Sequence, residues 1–154
     1  MYDELRARVA GTTIDAGTLL STDYFNSINE VIMLLGMIPD MPEMIADVQG
    51  WKFRSYEEHF RESGLAFAPL AIEAYAHVPA ETLMSFEQVL QEMRDTIDEA
   101  RTRLAEQDAA GETEKLKLSA TDYSVRLQRL VDAGSAVVHG TGNTSVQDEI
   151  DKMF

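Results

Sequence analysis

Apolar positions along this chain recur every three or four residues, which is the period of an amphipathic α-helix. The pattern is longest in the second half, where two stretches alternate steps of three and four. The first stretch comprises Leu83, Phe86, Leu90, Met93, Ile97, Ala100 and Leu104, and the second comprises Leu116, Ala120, Tyr123, Leu127, Leu130, Gly134 and Val137. Because Gly111 lies in the short QDAAGE segment between them, we expect two long helices packed as an antiparallel hairpin.

Shorter helices are predicted before the hairpin. An apolar stripe with steps of three, four and three predicts a helix that begins near Thr18–Thr22 and ends before Pro39, which cannot continue the backbone hydrogen bonding. This stripe comprises Phe25, Ile28, Ile32 and Leu35. Three short helices should follow in PEMIADVQGW, SYEEHFRESG and FAPLAIEAYAHV, the second with capping-box spacing at Ser55 and Glu58 and a terminating glycine at Gly64. MYDELRARVAG is predicted to be a short helix or a loose arm.

No segment alternates apolar and polar residues with the period of a β-strand, so the predicted fold class is all-α. We expect a helical bundle built on the long antiparallel helical hairpin, with short accessory helices and a tethered C-terminal helix. Residues 1–139 should form a single helical-bundle domain. Residues 140–154 should form a hinge, GTGNT, followed by a short C-terminal helix that Ser145 and Asp148 could cap.

The composition restricts the function. With 13 basic and 27 acidic residues the formal net charge is −14, which argues against binding nucleic acid or anionic membranes, since both need a basic face. Cysteine is absent, which excludes disulfides, thiolate zinc sites and cysteine nucleophiles. The sequence shows no signal peptide and no run of about 18 apolar residues, so a cytoplasmic location is expected.

Metal and cofactor sites are not predicted. The chain has three histidines, His59, His77 and His139. A di-iron bundle requires Glu-x-x-His on two helices, but Tyr56 and Ala74 stand where the glutamates would be. We therefore expect no cofactor.

Polar residues cluster at the start of the predicted helix in residues 21–30. Asp23, Asn26, Asn29 and Glu30 could form a polar patch that positions a water molecule or a partner. Alternatively, Ser21, Thr22 and Asp23 are residue types that favour a helix N-terminus, and capping explains the cluster.

The last ten residues, SVQDEIDKMF, combine an apolar edge with negative charge. Ile150, Met153 and Phe154 lie three and four residues apart, and Asp148, Glu149 and Asp151 surround them. On a helix such a segment would dock in an apolar groove rimmed by lysines. The alternative is that the same edge packs on the bundle and closes its core.

A resemblance bears on the first explanation, and both explanations stay open. The motif Gln147-Asp148-Glu149-Ile150-Asp151-x-Met153-Phe154 resembles the N-terminal segment of the flagellar switch protein FliM and the C-terminal tail of the chemotaxis phosphatase CheZ. In those families the segment becomes an amphipathic helix on the receiver-domain protein CheY. The resemblance covers about ten residues and implies that a receiver-domain protein is the partner and that the motif residues form the binding site.

The likeness to CheZ raises the alternative of receiver phosphatase activity. CheZ-like phosphatases use Asp-x-x-x-Gln, in which the glutamine orients the attacking water, and other receiver phosphatases use Glu-x-x-Asn. This chain departs from both patterns by one residue, with Glu87-x-x-x-Gln91 and Asp23-x-x-Asn26. Gln91 and Asn26 are therefore the candidate catalytic residues.

The sequence thus predicts a non-enzymatic adaptor or regulator in two-component or chemotaxis-type signalling. It would bind a response-regulator receiver domain through the C-terminal amphipathic segment. The alternatives are a CheZ-like receiver phosphatase and a helical dimerisation protein. Heptad edges left exposed by the hairpin would favour a homodimer, whereas edges buried between its two helices would not.

Overall fold

The computed structural model describes residues 1–141, which fold into seven α-helices and two 3-10 helices. The α-helices are α1 (Tyr2–Arg8), α2 (Asn26–Met37), α3 (Ile45–Gly50), α4 (Tyr56–Ser63), α5 (Ala68–Tyr75), α6 (Ala80–Ala109) and α7 (Thr113–Val138), and the 3-10 helices are Thr22–Phe25 and Pro42–Met44. Within this part of the chain the only β-type pairing is an isolated bridge between Ile14 and Ser21. The predicted all-α bundle is confirmed.

The two longest helices, α6 and α7, pack against each other and are joined by residues 110–112. Gly111 has φ +69° and ends α6 in a Schellman motif, in which its own N–H and that of Glu112 donate to carbonyls of the last turn. All seven apolar-stripe positions predicted for α7 are buried. Five of the seven predicted for α6 are buried, and Leu83 and Leu90 are partly buried.

Helix α2 lies against α7. The hydroxyl of Ser124 donates to the carbonyl of Ile32 at 3.1 Å. The predicted start near Thr18–Thr22 corresponds to the 3-10 helix at Thr22–Phe25, because Ser21 caps that turn by accepting from the backbone N–H of Asp23. The capping explanation for residues 21–23 is therefore supported.

The short helices follow their sequence signals. Ser55 and Glu58 form the predicted capping box at the start of α4, and Gly64 ends that helix with φ +73°. Helix α4 and the start of α6 supply rings to an aromatic cluster that includes Tyr56 and Phe86, whose centroids lie 5.6 Å apart. This cluster forms the part of the core beneath the candidate site.

The N-terminal segment is an integral part of the fold. Residues 2–8 form a helix, and Leu5 is fully buried, so the loose-arm alternative is not what the structure shows. Residues between α1 and the first 3-10 helix are irregular but packed, with Leu19 at φ +65° and no exposed surface. The hydroxyl of Thr18 donates to the carbonyl of Val138 at 2.6 Å and ties this segment to the end of α7.

Helix α7 ends in a second Schellman motif. Gly140 has φ +79° and donates to Val137, while the N–H of Thr141 donates to the carbonyl of Ala136 at 2.9 Å. The predicted hinge lies mostly, and the predicted C-terminal helix wholly, outside the described residues. Among the helices that are described, none combines the length and the apolar character that crossing a membrane requires.

Candidate functional site

The predicted receiver-binding residues, Gln147, Asp148, Glu149, Ile150, Asp151, Met153 and Phe154, lie outside the described residues. The structure does describe both candidate catalytic residues. It places Gln91 in a surface cleft on α6 and Asn26 at the first position of α2.

The cleft that contains Gln91, hereafter the Gln91 cleft, has a volume of about 390 Å³. It lies between the α4 N-terminus, the end of α5 and the face of α6. Its lining comprises Phe53, Ser55, Tyr56, Glu57, Tyr75, Glu87, Leu90, Gln91 and Arg94. Cavities of this size typically hold small molecules when apolar walls carry a few directed polar groups.

Gln91 is exposed, and its amide nitrogen already donates a hydrogen bond within the protein. Its Nε2 donates to Oδ1 of Asp95, one turn further along α6, at 2.8 Å. This bond orients the side chain and leaves Oε1 as an acceptor at the cleft. The amide can therefore accept a hydrogen bond from a ligand or a water molecule.

Tyr75 and Glu87 form the polar end of the cleft. The phenol of Tyr75 lies near the carboxylate of Glu87, and its ring stacks on that of Tyr56 with centroids 4.5 Å apart. Burial is the main cause that raises the pKa of Tyr75 to about 12, and the negative charge of Glu87 adds to it. Tyr75 is therefore a neutral phenol beside the charge of Glu87.

Arg94 and Phe53 form the opposite end. The guanidinium carbon of Arg94 lies 4.5 Å from the centroid of the Phe53 ring, a cation–π contact. The ion pairs of residues 1–141 do not include Arg94. Its positive charge is therefore held at the cleft without an acidic partner in the described part of the chain.

Asn26 lies in a different environment. Its Nδ2 donates to Oδ1 of Asp23 at 3.3 Å, and the other carboxylate oxygen of Asp23 accepts from the hydroxyl of Thr13 at 2.5 Å. Asn26 and Asp23 thus belong to a local network around a helix start. The cleft that contains Gln91 does not include Asn26.

The histidines occupy three separate settings. His59 packs edge-on against the rings of Tyr24 and Phe60, and burial lowers its pKa, although its interaction with the nearby Asp23 opposes the shift. His77 and His139 are exposed. No group of three or more metal-ligating side chains comes together in the described ranges of the chain.

Sequence reasoning singled out Gln91 and missed the groups that surround it. Glu87, Gln91 and Arg94 lie at positions i, i+4 and i+7 of one helix, so their shared face was readable from the sequence. The contributions of Phe53 and Tyr75 were not, because they come from segments distant in sequence that the fold brings to α6.

Comparisons of this chain with protein-family models, with curated proteins and with solved structures found no match. The geometry and the sequence patterns are therefore the basis for a functional proposal.

Proposed function

We propose that this protein is a non-enzymatic adaptor or regulator in two-component or chemotaxis-type signalling. It binds a receiver domain of the CheY type through Gln147–Phe154. The observation that carries the proposal is the order of acidic and apolar residues in this segment, which resembles the receiver-binding peptides of FliM and CheZ.

The residue chemistry supports this kind of contact. Burial of Ile150, Met153 and Phe154 in a partner's groove would contribute about 1.5–3 kcal/mol for each side chain, before the cost of ordering the peptide is subtracted. The neighbouring carboxylates would favour encounter with a groove rimmed by lysines. The result is a weak and reversible complex, as a signalling adaptor requires.

Point substitutions in the segment test the proposal. Replacing Met153 and Phe154 together with serine should weaken binding of a CheY-like receiver domain to the full-length chain about a hundredfold or more, since two buried apolar groups are lost. The matched control is Lys152→Ala, which leaves the apolar edge intact and should keep the affinity within a few-fold. Equal affinities for all three chains would contradict the proposal.

A second candidate function is receiver dephosphorylation, and the geometry of Gln91 favours that residue over Asn26. The amide nitrogen of each residue donates to a neighbouring carboxylate, but Gln91 lines a cleft on a long helix, and the lining of that cleft does not include Asn26. A phosphatase predicts that Gln91→Ala slows loss of phosphate from a phosphorylated receiver without weakening docking. An adaptor predicts the same rate with wild-type protein, with Gln91→Ala, with Asn26→Ala and without the protein.

A further inference from the structure

We propose that the Gln91 cleft is a binding site for a small zwitterion of the free amino acid class with an apolar or aromatic side chain. Its ammonium group would lie between the carboxylate of Glu87 and Oε1 of Gln91, and its carboxylate would pair with Arg94. This proposal does not depend on receiver binding by the C-terminal segment.

The two charged groups lie on the α6 face of the cleft at different heights. Arg94 follows Glu87 by seven positions, a rise of about 10 Å along the helix axis. The phenol of Tyr75 lies beside Glu87, and the guanidinium of Arg94 lies over the ring of Phe53. The ion pairs of residues 1–141 do not join Glu87 to Arg94, so a ligand with both charges can bind between them.

The balance of charges selects the ligand class. Glu57 and Glu87 both line the cleft, so a purely anionic ligand would meet repulsion, even though Glu57 pairs with Arg61 at 2.7 Å. A purely cationic ligand would leave Arg94 unneutralised beside it. A ligand with one ammonium and one carboxylate satisfies Glu87, Arg94 and the free oxygen of Gln91 together.

The apolar walls and the volume of the cleft indicate the ligand's side chain and its size. Leu90 and the rings of Phe53 and Tyr75 provide surface for a nonpolar side chain. The volume of about 390 Å³ lies at the small end of the range for ligand pockets, about 300–1,000 Å³, which suits one amino acid better than a peptide or a nucleotide.

The protein carries its own reporter of this site. Trp51 is the only tryptophan of the chain, and its ring meets that of Phe53 edge-on with centroids 6.1 Å apart. Since Phe53 also supports Arg94, a carboxylate that binds Arg94 should change the environment of both rings. Fluorescence of Trp51 can therefore follow binding without a label.

The test is a titration of the full-length protein with leucine, methionine and phenylalanine, up to about 10 mM, followed by Trp51 fluorescence and by calorimetry. At least one of these amino acids should bind saturably. N-acetyl-phenylalanine and phenylalanine methyl ester, which each lack one charge, should bind about tenfold more weakly or worse than phenylalanine.

Two substitutions assign the binding to the cleft. Glu87→Gln and Arg94→Gln each remove one charge from an exposed side chain, and each should weaken binding about tenfold or more. Glu81→Gln and Arg103→Gln are matched charge changes on α6 outside the cleft lining and should leave the affinity unchanged. The proposal is overturned if none of the three amino acids binds, if the blocked derivatives bind equally well, or if the cleft variants bind like the controls.

Discussion

The ring of Phe25 lies against the backbone of Gly134, so closely that a Cβ atom at position 134 would stand 2.5 Å from Cζ of the ring. Phe25 is buried and also contacts the rings of Tyr24 and Phe86, so it has little room to move. Glycine in the middle of a long helix is normally unfavourable. Its presence in α7 is explained by the close approach of this ring.

Gly134→Ala should destabilise the protein. The higher helix propensity of alanine should stabilise the protein by about 1 kcal/mol. Overpacking against Phe25 should destabilise it by about 1–3 kcal/mol, which exceeds that gain. Urea unfolding should therefore show that the free energy of unfolding falls by about 1 kcal/mol. In a Phe25→Leu background, the same Gly134→Ala substitution should lower it by less.

Gly36→Ala is the matched control for this contact. Gly36 lies near the end of α2, and its nearest neighbour would be the Ser124 hydroxyl at 3.7 Å, an ordinary contact distance. Only helix propensity then changes, so the free energy of unfolding of this variant should rise by up to about 1 kcal/mol. A stabilising Gly134→Ala would show that the ring of Phe25 is not the constraint.

His59 should make stability depend on pH. Burial lowers its pKa below the ordinary value of 6.5, so the folded state favours the neutral ring and the unfolded state binds more protons between the two pKa values. The free energy of unfolding should therefore decrease as the pH falls from above 6.5 through that window. Urea unfolding at about pH 7.5 and pH 5.5 measures the decrease.

His59→Gln should reduce the difference between the two pH values, because glutamine does not titrate. If this variant behaves like the wild type, a group other than His59 is responsible for the pH dependence.

Ser55→Ala should destabilise the protein by about 1 kcal/mol, the typical value of a helix N-cap. The hydroxyl of Ser55 accepts from the N–H of Glu58 at 3.1 Å, and the carboxylate of Glu58 accepts from the N–H of Ser55 at 3.0 Å. Thermal unfolding monitored by circular dichroism measures the loss. Glu58→Gln retains an acceptor oxygen and should lose less stability than Ser55→Ala; the reverse order would assign the main role to the carboxylate.

Much of the fold is encoded locally and was predictable from the sequence. The apolar stripe of α7 required only the helical period, and the capping box and Gly64 of α4 required only three residue types in order. Ile32 shows where the period alone is insufficient. The stripe predicted it in the core, but Ile32 is only partly buried, since the packing of α2 on α7 sets the rotation of the helix.

The irregular segment and the Gln91 cleft could not be predicted from local patterns. Leu19 adopts φ +65° and is fully buried, which depends on contacts with the rest of the fold rather than on its neighbours. Likewise, Tyr75 at the end of α5 reaches Phe86 and Glu87 at the start of α6 only through the tertiary fold. The pattern of residues 147–154 suggests a partner, but a pattern cannot supply the geometry of a complex.

Removal of residues 145–154 should leave the melting temperature unchanged within about 1 °C. We expect this because the proposed function assigns the segment to partner binding and not to the core. If the segment instead closed the core, loss of three apolar side chains would cost a few kcal/mol and lower the melting temperature by several degrees. Calorimetric melting of the full-length chain and of a chain that stops at Thr144 distinguishes the two.

The most direct test of the proposed function is a calorimetric titration of a CheY-like receiver domain into these same two chains. We predict saturable binding to the full-length chain and none to the chain that stops at Thr144, with the helices of residues 1–141 retained in both by circular dichroism. Equal binding by both chains, or binding by neither, would contradict the assignment of Gln147–Phe154 as the receiver-binding segment.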